Sequence, residues 1–231
     1  MTMWVELFDK DTFTVNITRL SEYHHSEKND MFDKLAAELL ASHRALTCVD
    51  YARLRTVYEL MTQSSIARRN LSKAMKECEC AKNYALKSGV PSSKLGRIHL
   101  LFAEIVHRQG ALPGKVLIPL GLAVMAFSAE GNQDGVAESL RELAYQNARC
   151  GRFRLAHSQI SKAIEKYRNV GNFGAVVVTK GTLAGIYQMQ GNIIRTRQLY
   201  EECLNYWSLA GHKRWTTYYQ GKLRSLKNGR C

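Results

Sequence analysis

GNQDGVAESLRELAYQNARCGRFRLAHSQISKAIEKYRNVG spans residues 131–171, and GNFGAVVVTKGTLAGIYQMQGNIIRTRQLYEECLNYWSLAG follows from its last glycine over 171–211. Gly131-Asn132, Gly171-Asn172 and Gly211-His212 recur every 40 residues, and Gly110, Gly151 and Gly191 form a second series at spacings of 41 and 40. Two interleaved glycine series on one period mark an internal repeat that breaks at its own middle. Between the glycines, apolar residues return at three-to-four spacing, the signature of one helix face. The repeating unit reads as a pair of antiparallel helices.

Composition agrees with that reading. A chain of 231 residues that is 45% hydrophobic can bury a substantial core. Only three prolines and no run of alternating β-branched residues point to an all-α protein. The net charge of +13 is unevenly spread: residues 132–231 hold 16 Lys/Arg against 6 Asp/Glu, whereas residues 1–131 hold 17 against 14. The last hundred residues therefore carry +10, a balance that favours an acidic protein, a phosphate or a nucleic acid as partner. Six cysteines, Cys48, Cys78, Cys80, Cys150, Cys203 and Cys231, lie scattered without a CxxC pair. The start of the chain lacks a basic segment followed by an apolar core, so a reducing cytoplasmic or nuclear setting is expected. The longest apolar run, Val116 to Phe127, falls short of the roughly 20 residues that span a bilayer. It reads as a buried helix, and no membrane partner is expected.

Outward from the repeat, residues 1–30 lack clear periodicity and read as a lead-in. Asp30 is a candidate helix cap, with Phe32, Leu35, Ala36, Leu39, Leu40 and His43 following on one face. Residues 1–49 thus form a lead-in and capping helix. A divergent hairpin covers 50–91, with Tyr51, Leu54, Val57, Tyr58 and Met61 on its first helix and Leu71, Ala74, Met75, Cys78, Ala81, Tyr84 and Ala85 on its second. Further units span 92–131, 132–171 and 172–211, and a terminal half unit covers 212–231. The unit at 92–131 carries Pro113-Gly114, which lengthens its turn by one residue.

The unit from Asn132 places Leu140, Leu143, Ala144, Asn147, Gly151, Ala156, Ile160 and Ala163 in the order large, large, small, variable, turn glycine, small, large, small. Small residues let two helices cross closely, and large ones fill the layer between them. Lys180, Leu183, Ala184, Tyr187, Gly191, Thr196, Tyr200 and Cys203 repeat the pattern, and so do His99, Phe102, Ala103, Val106, Gly110, Leu120 and Ala123. These residues resemble the tetratricopeptide repeat, which implies an α-solenoid of helical hairpins wound as a right-handed superhelix. A narrower resemblance runs through Ala103 to Gly110, then Pro113, Gly114, Leu120, Leu122, Ala123, Phe127, Asn132, Asp134, Ala137, Leu143 and Ala144. It is similar to the C-terminal repeats of anaphase-promoting complex subunit five, implying a noncatalytic platform of a cell-cycle ubiquitin ligase. The chain lacks the long N-terminal portion of such subunits, which makes it a fragment or a short divergent form.

No catalytic or metal signature stands beside the repeat. Cys78 and Cys80 are two residues apart on a helix, which turns their sulfurs about 200° from each other. They read as buried helix cysteines. His24-His25 and Glu27 lack a second ligand cluster, and His99 and His107 bracket Glu104 without the His-Glu-x-x-His spacing. No lysine-bearing phosphate loop or Gly-x-Ser-x-Gly elbow occurs. The expectation is a protein that is not an enzyme and has no metal or cofactor.

In the tetratricopeptide family the first helix of each pair lines the concave groove. The resemblance therefore implies a partner-binding face of Arg97, Leu100, Glu104, His107 and Arg108, then Glu138, Arg141, Tyr145 and Arg149, then Val178, Gly181, Gly185 and Gln188. Where chaperone-binding members hold a peptide carboxylate with asparagine, this chain has Glu104, Tyr145 and Gly185, and Glu104 would repel that group. Gly181 and Gly185 lie one turn apart and are accounted for by close packing of an adjoining helix. The basic end, Lys213, Arg214, Trp215, Lys222 and Arg224, interleaves cations with aromatic residues; Trp207, Tyr218 and Tyr219 are expected in the core. These features imply a noncatalytic interaction scaffold within a larger assembly, taking a protein with an acidic surface or a peptide. Two alternatives are a basic module that binds RNA or another polyanion and a peptide-sensing regulator.

Overall fold

The computed structural model describes residues 10–44, 50–89 and 92–227. Every described element is a helix, and the chain divides into two compact units at Gly110/Ala111. That boundary falls inside the 92–131 unit expected from the glycine spacing. The first unit holds α1 (Lys10–His25), α2 (Asn29–Arg44), α3 (Tyr51–Ala67), α4 (Leu71–Lys87) and α5 (Ser92–Arg108). The second holds α6 (Pro113–Ala129), α7 (Gln133–Arg149), α8 (Phe153–Asn169), α9 (Phe173–Met189), α10 (Ile193–Leu209) and α11 (Lys213–Lys227). Within each unit consecutive helices pack side by side, and α3 with α5, and α7 with α9, also touch.

The 40-residue period has a simple mechanical origin. Each helix from α3 to α10 is 17 residues long, about 26 Å. Three-residue turns join most of them, so one helix and one turn take 20 residues. At the end of α8, Gly171 adopts φ 74° and donates its N–H to the Arg168 carbonyl, while the Asn172 N–H reaches back to Tyr167. That left-handed residue satisfies carbonyls that would otherwise lack partners. The Asn172 side chain then accepts from the Ala175 N–H and opens α9. Asn132 and Asn192 cap α7 and α10 in the same way, so Gly-Asn closes one helix and starts the next. Arg69 holds this left-handed position between α3 and α4 with φ 60°, followed by the cap Asn70. A non-glycine residue there breaks the glycine series without breaking the turn.

Close crossings use the small residues. Ala144, Ala156 and Ala163 are fully buried, Ile160 fills the layer between them, and Thr196, Tyr200 and Cys203 take the matching places one unit later. Phe127 of α6 lies flat against Gly135 of α7, where any Cβ would overlap its ring. Tyr219 of α11 sits likewise on Gly181 of α9.

Five readings of the sequence require correction. Residues 10–25 of the supposed lead-in form α1, whose buried Leu20 joins Phe32, Ala36, Leu39 and Val57 in one core. Asp30 lies in the first turn of α2, which begins at Asn29. The run Val116–Phe127 is buried on one side only: Ile118 and Met125 are each 70% exposed. Cys80 is half-buried and Tyr218 is exposed, although Cys78, Trp207 and Tyr219 lie in or against the core. Cys48, Cys231 and the side chain of His43 lie outside the described residues.

The turn chemistry is testable by exchange of the left-handed residue. Arg69→Gly raises the unfolding free energy by about 1 kcal/mol, and Gly171→Ala lowers it by roughly 1–2 kcal/mol, measured by urea denaturation. Equal stability of all three proteins overturns the assignment of strain to these positions.

Candidate partner-binding faces

In the first unit, α3 and α5 present a chain of charges. Glu59 pairs with Arg55 on its own helix, both nearly buried, and its other oxygen lies 4.0 Å from Arg97 Nε on α5. Burial raises the Glu59 carboxyl above its usual range, with Arg55, Arg97 and Lys94 acting the other way. Arg97 is exposed and faces this pair, while Glu104 and Arg108 bind each other at 2.8 Å. His107 is half-buried beside them on α5, and His99 is held below its usual pKa by burial and by Lys82. The groove spacing pointed to Arg97 but not to Arg55 and Glu59; their i,i+4 spacing on α3 is the signal that could have found them.

In the second unit, α7 and α9 supply the face. Arg141 donates to Glu142 at 2.8 Å and lies 3.8 Å from exposed Glu138. Burial works against its charge, yet Glu142, Tyr167 and Glu138 keep the guanidinium ionised. Arg149 is exposed and donates to Gln146 at 3.1 Å. Gln188 accepts from the Tyr200 hydroxyl at 3.4 Å. Burial pushes that phenol up to about 12, and Tyr218 and Tyr145 stand near enough to bear on its ionisation. Gln188 of α9 and Tyr200 of α10 therefore touch. Gly185 precedes Gln188 by three residues on α9, and an added Cβ there would meet nothing within 4 Å. The paired explanation of the two glycines is thus half right: a neighbouring side chain fills Gly181, and Gly185 leaves an open notch. Tyr200 and Tyr218 were not on the expected face, because their repeat positions read as core.

The basic end is α11, which carries Lys213, Arg214, Lys222, Arg224 and Lys227 and no acidic residue. Lys213, Arg214 and Arg224 are exposed, and Lys222 lies over the Tyr218 ring at 5.5 Å. Trp215 stacks on Trp207 at 5.8 Å and on Tyr219 at 6.1 Å. Those rings are engaged with one another and bind α11 to α10. Tyr218 of α11, 47% exposed, and Tyr206 of α10, 37% exposed, face outward.

Among the described residues no group of three or more His, Cys, Asp and Glu is placed to hold a metal ion. Burial drives the Cys78 thiol up to about 12 and the Cys203 thiol to about 11. Thiolate is the reactive form, so neither is a nucleophile at neutral pH. No described helix is long and apolar enough to cross a membrane.

Neither a family model nor a curated protein matches the chain. Solved structures do. Aspartyl phosphate phosphatase F from Bacillus subtilis aligns with a TM-score of 0.68 at 10% identity, covering 92% of this chain and 58% of that one. A signal-transduction ATPase with numerous domains and a tetratricopeptide repeat sensor, from Pyrococcus horikoshii, gives 0.67 at 13%, covering 85% and 31%. BtubC (BKLC) from P. vanneervenii gives 0.59 at 15%, covering 94% and 91%. The fold is a tetratricopeptide-like array of helical hairpins. At these identities the likeness carries the fold alone, and none of these three is an anaphase-promoting complex subunit.

Two measurements test these faces. Gly185→Ala stabilises the protein by about 0.5–1 kcal/mol, because the site is open and alanine favours helix, whereas Gly181→Ala destabilises it by about 1–3 kcal/mol through collision with Tyr219. The opposite order in thermal or urea unfolding would falsify the notch. Timed alkylation of the native protein at pH 8, mapped by mass spectrometry, modifies exposed Cys150 and spares Cys78 and Cys203 until denaturant is added; early labelling of either buried thiol contradicts their placement.

Proposed function

We propose that the chain is a noncatalytic docking array that holds a segment of another protein, within a larger assembly of the cytoplasm or nucleus. The observation that carries this reading is the open space at Gly185 on α9, one turn before Gln188, which accepts from the Tyr200 hydroxyl. A helix interior that accepts the penalty of glycine without a neighbour filling the space leaves room for an incoming backbone. Gln188 and Tyr200 offer an amide and a phenol, groups that hydrogen-bond an extended peptide. Arg149 on α7 and the cations of α11 suit an acidic segment. Arg97, Glu104, His107 and Arg108 on α5 belong to the same proposal for the first unit. A related reading, a regulator that senses a peptide, is in keeping with a fold that also occurs in a tetratricopeptide repeat sensor. A platform role like that of anaphase-promoting complex subunit five rests on the spacing of residues 103–144 alone.

A second reading, RNA or another polyanion on the basic end, is favoured by the five cations of α11. Base stacking along a strand needs successive open aromatic platforms, and here Trp207, Trp215 and Tyr219 stack on one another, leaving Tyr206 and Tyr218 outward on separate helices. The protein reading is therefore preferred.

A photo-crosslinking residue placed at Gly185, compared with one at exposed Arg197 on α10, separates the two in native cells. Purification in about 0.15 M salt is expected to yield one stoichiometric protein crosslinked from position 185 and not from 197. Retention of RNA that falls steeply with salt, without a protein crosslink, sinks the docking reading.

A further inference from the structure

The charge of the second unit is sorted along its helices. Residues 145–164, 181–200 and 218–227 hold nine Lys/Arg and no Asp or Glu, and the six Asp/Glu of residues 132–231 all lie in the remainder. Seven Lys/Arg share that remainder with them, so nearly the whole +10 of the last hundred residues belongs to these three stretches. Three-residue turns make α7 to α11 antiparallel in succession. The stretches therefore gather toward one end of the unit, where the end of α7 and the C-terminal halves of α9 and α11 lie beside the N-terminal halves of α8 and α10. The cations of α11 noted above are only part of this end.

Aliphatic side chains stand among these cations. Arg154 and Leu155 open α8 at the positions that Ile194 and Arg195 take on α10, 40 residues on, so cation and aliphatic group exchange places between the two helices. Each pair is exposed and precedes a fully buried residue, Ala156 or Thr196, which turns both pairs outward in the same way. Ile194 is 77% and Leu155 is 46% exposed, and Arg152 and Arg197 beside them are exposed as well. Aliphatic groups held outward among cations, in stretches without a carboxylate, match a partner that is anionic at its surface and hydrocarbon just beneath. A bilayer with acidic lipids has that layering. Nucleic acid supplies the phosphate but no hydrocarbon for Leu155 and Ile194. We infer that this end of the second unit rests against an anionic membrane surface, with the arginines among the headgroups and Leu155 and Ile194 at the acyl boundary. The shortness of the apolar run Val116–Phe127 bears on crossing a bilayer and not on lying against one. The site is separate from Gly185 of α9, and neither reading depends on the other.

Flotation of the full chain with lipid vesicles in about 0.15 M salt reads this out. The protein floats with phosphatidylcholine vesicles that contain phosphatidylserine, stays behind with phosphatidylcholine alone, and dissociates as salt rises. Arg154→Ala and Arg197→Ala each lower the partition coefficient about fivefold. Ile194→Ser and Leu155→Ser lower it as well, a loss that binding by charge alone does not show. Lys166→Ala and Arg168→Ala, which remove cations from the other end of α8, leave it unchanged. Circular dichroism shows the same helix content in all six variants. A wild-type chain that ignores phosphatidylserine overturns the inference, including when it retains RNA instead. Binding that survives both serine substitutions at full strength, or that falls equally on loss of Lys166 and Arg168, overturns it too.

Discussion

One backbone constraint sets the dimensions of this protein: a residue in the left-handed conformation after each 17-residue helix, followed at four of the turns by an asparagine, Asn70, Asn132, Asn172 or Asn192, that caps the next helix. At Gly171-Asn172 and its counterparts the left-handed residue and the asparagine after it each return an N–H to the outgoing helix, and the asparagine side chain accepts an N–H from the first turn of the incoming one. Because both helix ends are satisfied within three residues, the chain reverses without a long loop. Adjacent helices are thereby held in contact, and the crossing residues have no freedom to be large. The alanines at 144, 156 and 163 follow from the turn as much as from the core.

The same constraint explains what was legible in the sequence. Glycine is the residue best suited to a left-handed turn, so its spacing exposed the hairpins from Gly89 to Gly211 with their lengths. Arg69 adopts the conformation without being glycine, and the hairpin before Gly89 was correspondingly faint. α1 escaped notice for a different reason. Its Thr, Val and Ile residues have weak helix preference, and its helical state comes from burial of Leu20 against α2 and α3, a tertiary cause that local pattern does not carry. α6 was recognised as a helix but its sidedness was invisible, because both faces are apolar and amphipathic contrast is what reports orientation.

The candidate faces were legible to the level of which helices supply them, and not to the level of which side chains are engaged. Helix order assigns Arg141, Tyr145 and Arg149 to one side of α7. It says nothing of the two carboxylates that occupy Arg141, or of Tyr200 reaching Gln188 from the neighbouring helix. Gly181 and Gly185 illustrate the limit most clearly. They are identical residues one turn apart on one helix, and only the position of Tyr219 makes one a packing site and the other an opening.

The stacked rings of Trp207, Trp215 and Tyr219 have a consequence for how the molecule reports on itself. Of the three tryptophans in the chain, Trp4 lies outside the described residues and the other two form this stack between α10 and α11. Indole emission from that pair is a local signal from the last hairpin, whereas amide circular dichroism averages over all helices. In an array whose hairpins touch chiefly their neighbours, the end can melt before the middle. The interval between the two optical transitions then measures how strongly one hairpin is coupled to the next.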